Sequence, residues 1–201
     1  MKWKLIYEDE ELGQAWRKYF DAEDDVEVLE GDICHVNCDA VVSPANSFGF
    51  MDGGLDYALS DRFGWDLQKH LQTEIAMRPI RELLVGEALL LSTGDVNIPW
   101  LISAPTMRVP MKLRQTVNAY LAMKSIIAVA CAHTGQPKIE TVAVPGLGTG
   151  VGDLHPDIAA LQMWTAYREL LCGECFFPDN FGVAQMLHVG LNQSEINLWD
   201  P

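Results

Sequence analysis

The chain has 201 residues, 49% of them apolar, five cysteines and a formal net charge of −14. That length suits one domain with a sizeable core, no run approaches the ~18 apolar residues of a spanning helix, and the opening "MKWKLIYEDEEL" turns acidic before a secretory signal region forms. Such acidity repels phosphate backbones and argues against a nucleic-acid groove, while an odd cysteine count in a chain too large to need disulfides points to a reducing cytoplasm.

Strand and helix signals alternate along the chain. "WKLIY" at 3–7 reads as a strand, and "ELGQAWRKYF" at 11–20 as a short helix. "VEVLEGD" at 26–32 alternates apolar and polar residues, as a half-buried strand does. "DAVVSPA" at 39–45 is a short buried strand, and a helix over about 55–77 follows, broken near Gly64. "GEALLLSTG" at 86–94 and "WLISAPT" at 100–106 read as two more strands. Leu113, Val117, Tyr120, Leu121, Ile127 and Cys131 fall on helical spacing, which predicts a long helix over 113–133. A strand at 140–153 ends in glycines. Pro156 fits the first position of a helix running to Leu171. "AQMLHVGL" at 184–191 is read as a last strand, with His188 a core residue. The result is an α/β layering, with a mostly buried sheet covered by helices.

Two predicted strand exits are rich in glycine, at 49–54 and 146–152. In open α/β sheets, ligands sit beyond the C-terminal ends of the strands. Glycine lets the backbone approach a ligand, successive N–H groups form an anion-binding concavity, and a following helix adds its positive end. Two such loops facing one crevice would hold a diphosphate. The bland alternative is that the glycines only make tight turns. "GLGTGVG" lacks the Lys-Ser/Thr pair of a P-loop and departs from GxGxxG spacing, which argues against a dinucleotide-dependent dehydrogenase.

The order of short motifs resembles the macro domain family. Gly31-Asp32-Ile33, Asp39-Ala40-Val41-Val42, Ala45-Asn46-Ser47 and Gly53-Gly54-Leu55-Asp56 match that family's first half in order and spacing. Pro145, Thr149, Gly150 and Val151 match its second loop, "VGEALLLSTG" the strand between the loops, and "LISAPT" the strand after that. The resemblance covers roughly residues 26–190. It implies a single macro-like domain over 1–201 with a three-layer α/β/α fold and a mixed central sheet. The chain departs from the pattern at several positions. Ser43 stands where many members carry a first asparagine, Met51-Asp52 where glycines are common, and Gly148 in place of a serine. Gly152 stands where hydrolytic members often carry Tyr or Phe, and one extra residue precedes Pro156. These differences mark a divergent subfamily.

The resemblance implies that the ligand is ADP-ribose or an ADP-ribosylated target, with no metal; the acidic charge and the lack of a long apolar run add the expectation of no nucleic-acid partner and no membrane. The resemblance also implies binding by Asp32, Ile33, Ala45, Gly53, Gly54, Leu55, Gly148, Thr149, Gly150, Val151 and Gly152, and catalysis by Asn46 and Asp56. Each polar residue has a structural alternative. Asp32 accepts a hydrogen bond from the adenine amine or is a solvated strand-end residue. Asn46 binds ribose hydroxyls or makes an Asx-turn. Asp56 polarises a water beside the anomeric carbon or serves the first turn of a helix. Asp52 is expected to face outward, because a carboxylate inside an anion loop repels phosphate. Hydrolysis of an ADP-ribosyl bond is the favoured activity. A reader that binds without turnover, and an ADP-ribose 1″-phosphate phosphatase, are the alternatives.

Three further features are weighed beside these. Cys172-Gly-Glu-Cys175 has CxxC spacing, but zinc needs four ligands together and Cys34 and Cys38 lie elsewhere, so buried thiols are expected. His155 either borders the second loop near the distal ribose or is a surface residue at a helix start, the latter being favoured. Arg108 faces either a phosphate or solvent.

Overall fold

The computed structural model describes residues 1–193. Its six-stranded sheet has the order β2-β1-β6-β3-β5-β4. The strands are β1 (Lys2–Tyr7), β2 (Val26–Glu30), β3 (Ala40–Ser43), β4 (Leu89–Ser92), β5 (Trp100–Ser103) and β6 (Thr141–Val144). All pairings are parallel except the antiparallel β4–β5 edge pair. The sheet is therefore mixed, and the five parallel strands all end at the same edge.

Alternation along the central strands assigns the two faces. Leu5, Val42, Ile102 and Val144 are buried against α1 (Glu10–Phe20), α4 (Asn118–Ala132) and α5 (Pro156–Leu171). Their chain neighbours Ile6, Val41, Leu101 and Ala143 are buried on the opposite face against α2 (Gly54–Phe63) and α3 (Asp66–Met77). Successive strand residues point to opposite faces, so the near-continuous apolar runs in these strands follow from burial on both sides. This gives the three-layer α/β/α arrangement.

Local signals explain most element boundaries. The Asp9 carboxylate caps α1 by accepting from the Glu11 N–H at 3.0 Å. Gly64, at φ +94°, ends α2 and lets the chain restart as α3. Pro156 occupies the first turn of α5, whose cap is the exposed His155. Asp39 laces the sheet: its Oδ2 accepts from the N–H groups of Glu140 and Thr141, at 2.9 and 2.8 Å.

Two expectations are corrected. The segment expected as a last strand forms helix α6 (Phe181–Gly190), capped by Asn180, whose side chain accepts from the Val183 N–H at 3.1 Å. A short apolar run fits a strand or one helical turn after another equally well, and the capping asparagine decides. His188 accordingly lies exposed on this helix and not in the core. Cys172 and Cys175 are exposed free thiols, not buried ones, because the segment after α5 runs over the surface; only Cys34 and Cys38 are buried. Among the described residues no group of three metal-binding side chains comes together, and no helix is long and apolar enough to cross a membrane.

Candidate functional site

A cleft of about 710 Å³ opens at the C-terminal edge of the parallel strands, within the range of small-molecule sites, ~300–1,000 Å³. The loops after β3 and β6, which are neighbouring strands, form two of its walls. Every residue expected at the site lines this one cleft: Asp32, Ile33, Ala45, Asn46, Gly53, Gly54, Leu55 and Asp56 on one side, Gly148, Thr149, Gly150, Val151 and Gly152 on the other.

Gly49, Gly54 and Gly148 have positive φ, which favours glycine in itself; apart from that, the loop glycines divide into two kinds by what a Cβ would meet. Those of the first kind are held by packing. A Cβ on Gly49 would lie 2.9 Å from the Leu71 and Ile75 side chains. One on Gly146 would lie 2.4 Å from Thr149 Oγ1, and one on Gly152 would lie 2.4 Å from the Gly148 carbonyl oxygen and 2.8 Å from Leu113 Cδ1. The second kind is open. A Cβ on Gly53 or Gly150 would meet nothing within 4 Å, and neither residue has a positive φ. The protein's own packing gives no reason for glycine at these two positions, and both line the cleft.

Backbone donors line both loops. Helix α2 starts at Gly54 with no side-chain cap, so its first N–H groups remain orphaned. Across the cleft, the N–H groups of Thr149, Gly150 and Val151 donate to no described residue; the loop is closed instead by bonds from Asp153 to Gly150, Leu154 to Gly148 and Leu113 to Gly152. Lys and Arg are absent from the lining and Glu8, Asp9, Asp32, Asp52 and Asp56 are present, so an anion held here would have to be held by backbone N–H groups and not by a cationic side chain.

Asn46 is the scaffold of the first loop. Its side-chain oxygen accepts from the Phe48 and Phe50 N–H groups, at 3.1 and 3.3 Å, and its amide donates to the Phe50 carbonyl at 2.8 Å. The Asx-turn is therefore formed, and one amide N–H remains for a ligand. Asp56 sits in the first turn of α2, where its Oδ1 accepts from the Ser43 hydroxyl at 2.6 Å. Burial pushes its carboxyl up to about 6, and the Ser43 bond opposes that rise. A carboxyl titrating there is suited to proton transfer near neutral pH.

Asp32 caps a single 3₁₀ turn at Ile33–His35. Its Oδ1 accepts from the Cys34 N–H at 2.9 Å and its Oδ2 meets His35 Nδ1 at 2.8 Å. The Cys34 backbone bond, followed by His35, holds its carboxyl below the usual range. Asp52 is solvent-exposed at the rim of the cleft. Arg108 faces no anion site: it forms a two-pronged pair with Glu82, at 2.9 and 2.7 Å, over the Phe48 ring.

Sequence reasoning missed part of the lining. Tyr7, Glu8, Asp9 and Leu12 come from the β1 exit, and Phe50, Thr106, Met107 and Pro110 from the loops after β3 and β5. A signal existed for the first group, because a parallel β1 beside β6 must also end at this edge. It also missed Ser43 as the partner of Asp56.

A parallel-rich sheet with a cleft of small-molecule size at its C-terminal edge defines an α/β protein of the layered class. The chain belongs to the macro domain family, which residues 42–163 match. It is 35% identical over 136 residues to a macro domain-containing protein of Listeria monocytogenes, covering 68% of this chain and 74% of the relative. Two solved structures share the fold. The macrodomain of Mycobacterium tuberculosis DarG superposes with a TM-score of 0.56 at 24% identity, covering 70% of this chain and 88% of the other. The Oceanobacillus iheyensis macrodomain with ADP superposes with a TM-score of 0.58 at 18% identity, covering 81% and 85%.

Proposed function

We propose that the cleft binds ADP-ribose and that the protein hydrolyses a bond at the anomeric carbon of its distal ribose. The observation that carries this reading is the pair of facing glycine loops. Gly53 and Gly150 line the cleft, a Cβ on either would meet no protein atom within 4 Å, and the N–H groups of Thr149, Gly150 and Val151 donate to no described residue. A diphosphate accepting from both loops accounts for both facts. Structures of the Oceanobacillus iheyensis macrodomain with ADP, and of a variant with ADPR, support the ligand class. In this reading Asp32 receives the adenine amine, and Asn46 and Asp56 flank the distal ribose.

Asp56 acts as the base that activates water, and its charge stabilises the oxocarbenium-like transition state. The water oxygen bonds to the anomeric carbon as the bond to the leaving group breaks; Asp56 takes a proton from the water and later returns it to solvent, and the leaving atom is protonated from solvent. The second reading, a reader without turnover, is favoured by Gly152, whose packing against Leu113 leaves no room for a covering ring. Phe50, half-exposed on the opposite loop, sets an aromatic ring at the same cleft.

Calorimetric titration with ADP-ribose and AMP, followed by product analysis on a panel of ADP-ribosylated substrates, tests the proposal. ADP-ribose should bind more tightly than AMP, because AMP lacks the second phosphate and the distal ribose. Asp56→Asn should reduce turnover ~10²–10⁴-fold and change ADP-ribose affinity far less. Equal affinities for the two nucleotides would remove the two-loop site. Tight ADP-ribose binding with no turnover on any linkage would make the protein a reader.

A further inference from the structure

Ser43 and Ser103 are register partners at the ends of β3 and β5. Two residues before each, Val41 and Leu101 pack into the α2–α3 layer, so both serines face that layer as well. Both side chains are fully buried. Their hydroxyls have opposite fates. The Ser103 hydroxyl has no partner, whereas the Ser43 hydroxyl donates to Asp56 Oδ1 at 2.6 Å. That length is typical of a charge-assisted O–H···O⁻ bond, ~2.5–2.7 Å. No other described residue donates to the Asp56 carboxylate, so its second oxygen is unengaged.

We propose that Ser43 is the positioning residue for Asp56: from the fixed end of a central strand it holds one carboxylate oxygen in ionised form and leaves the other for the reacting water. This rests on the reading of Asp56 as the base. The helix that carries Asp56 needs such an anchor, because it begins at Gly53-Gly54 without a side-chain cap. The hydrogen bond also opposes the effect of burial on the carboxyl.

The groups around Asp56 offer no substitute. The 3₁₀ turn carries Cys34 and His35, the latter held by Asp32. Asp52 precedes α2, and Glu8 and Asp9 enter the cleft from the β1 exit; all are acids. On α3, Asp66 pairs with Lys69 and His70 with Glu74, in solvent-exposed pairs. On α2 itself, Arg62 is paired with Asp95, and Asp61 is exposed. These cations are paired elsewhere, and among the described residues Ser43 is the one hydrogen-bond donor to the Asp56 carboxylate.

The test measures the Asp56 carboxyl directly by carbon-13 NMR titration, with the signal assigned by its loss in Asp56→Asn. The pH–rate profile for release of ADP-ribose from a modified peptide and the Kd for ADP-ribose are measured alongside. Wild type should titrate at about 6. Ser43→Ala should titrate about one pH unit higher, shift the acid limb of the rate profile the same way and lower kcat about 10-fold at pH 5 but only about twofold at pH 7, with Kd within about twofold. Ser43→Cys, near in size but a weaker donor, should fall between the two, and it decides the question if the alanine variant does not fold. Ser103→Ala removes an equally buried hydroxyl from the same face and should move neither titration nor rate.

An unchanged Asp56 midpoint in a folded Ser43 variant overturns the proposal. So does an equal displacement in Ser103→Ala. If the wild type turns over no ADP-ribosyl linkage, the hydrolase reading falls and with it the catalytic role of Ser43, while the titration reports separately whether Ser43 keeps Asp56 ionised.

Discussion

The two glycine loops share a shape and divide the work. The loop after β3 carries side chains with chemistry: Asn46 builds the turn, Asp52 stands at the rim and Asp56 is held by Ser43. The loop after β6 offers mainly backbone. Its one carboxylate, Asp153, is drawn away by Arg114 at 2.5 Å and by Lys112 at 3.5 Å, which holds it below the usual carboxylate range. On the proposed reading the first loop supplies the reacting groups and the second the binding contacts. Within each loop the same economy recurs. At Gly49, Gly146 and Gly152 protein atoms press where a Cβ would sit, while a Cβ on Gly53 or Gly150, which line the cleft, would meet nothing within 4 Å. Glycine content alone does not separate these roles; the direction of the missing Cβ does.

The largest effect should come from exchanging the two kinds of glycine within the second loop. In Gly152→Val the new side chain meets the Gly148 carbonyl and Leu113, which should remove about 3 kcal/mol or more of stability, or prevent folding. In Gly150→Val the new Cβ meets no protein atom within 4 Å, at a residue that lines the cleft. That variant should melt within a degree or two of wild type, yet bind ADP-ribose about 10–100-fold more weakly. Melting curves and calorimetry on the pair check this. Equal loss of stability in both variants, or unimpaired binding by a folded Gly150→Val, would erase the distinction between pinned and open glycines.

Much of this was legible in the sequence, for reasons that can be named. The strands and the helix from Pro156 announced themselves through burial on two faces and a proline cap. The glycine loops followed from their place after strands. Asp39, part of the motif that carries the family resemblance, proves to be a sheet clamp, joining the start of β3 to β6. What stayed hidden depends on three-dimensional neighbours. Nothing in the spacing of Ser43 and Asp56 reveals a bond across thirteen residues. Arg108 was undecidable until Glu82, distant in sequence, came beside it. α6 was misread because eight apolar-rich residues do not fix a period, and the cap at Asn180 lies outside them.

A smaller effect should appear at the wall that neither glycine loop supplies. Asp32 has both carboxylate oxygens engaged, by the Cys34 N–H and by His35. An ionised carboxylate retains further lone pairs, so an adenine amine can still donate to it. The side chain is about half exposed, which puts the contribution at the low end for a charged acceptor, ~1.5 kcal/mol. Asp32→Ala should therefore reduce the preference for ADP-ribose over its hypoxanthine analogue about 10-fold, with little change in diphosphate binding. Unaltered discrimination would leave Asp32 as the cap of the 3₁₀ turn and nothing more.

The smallest effect concerns stability, and its sign distinguishes a working carboxylate from a structural one. Burial raises the Asp56 carboxyl from 3.8 to about 6, so the folded protein holds that proton more tightly than the unfolded chain. Asp56 then contributes stability below about pH 4, and the contribution is lost as pH rises through 6. The full shift corresponds to at most about 3 kcal/mol; partial exposure reduces the expected penalty at neutral pH to about 1 kcal/mol. Asn keeps the size and still accepts from Ser43 but carries no charge. Asp56→Asn should therefore melt about 2–4 °C higher than wild type at pH 7.5, with the difference vanishing near pH 4. The same substitution that removes turnover would thus stabilise the fold, as expected where a charge is kept in a poor solvent environment for its reactivity. A destabilised Asp56→Asn at pH 7.5, or a difference that ignores pH, would mean that the carboxylate is fully satisfied by its surroundings and is not poised for proton transfer.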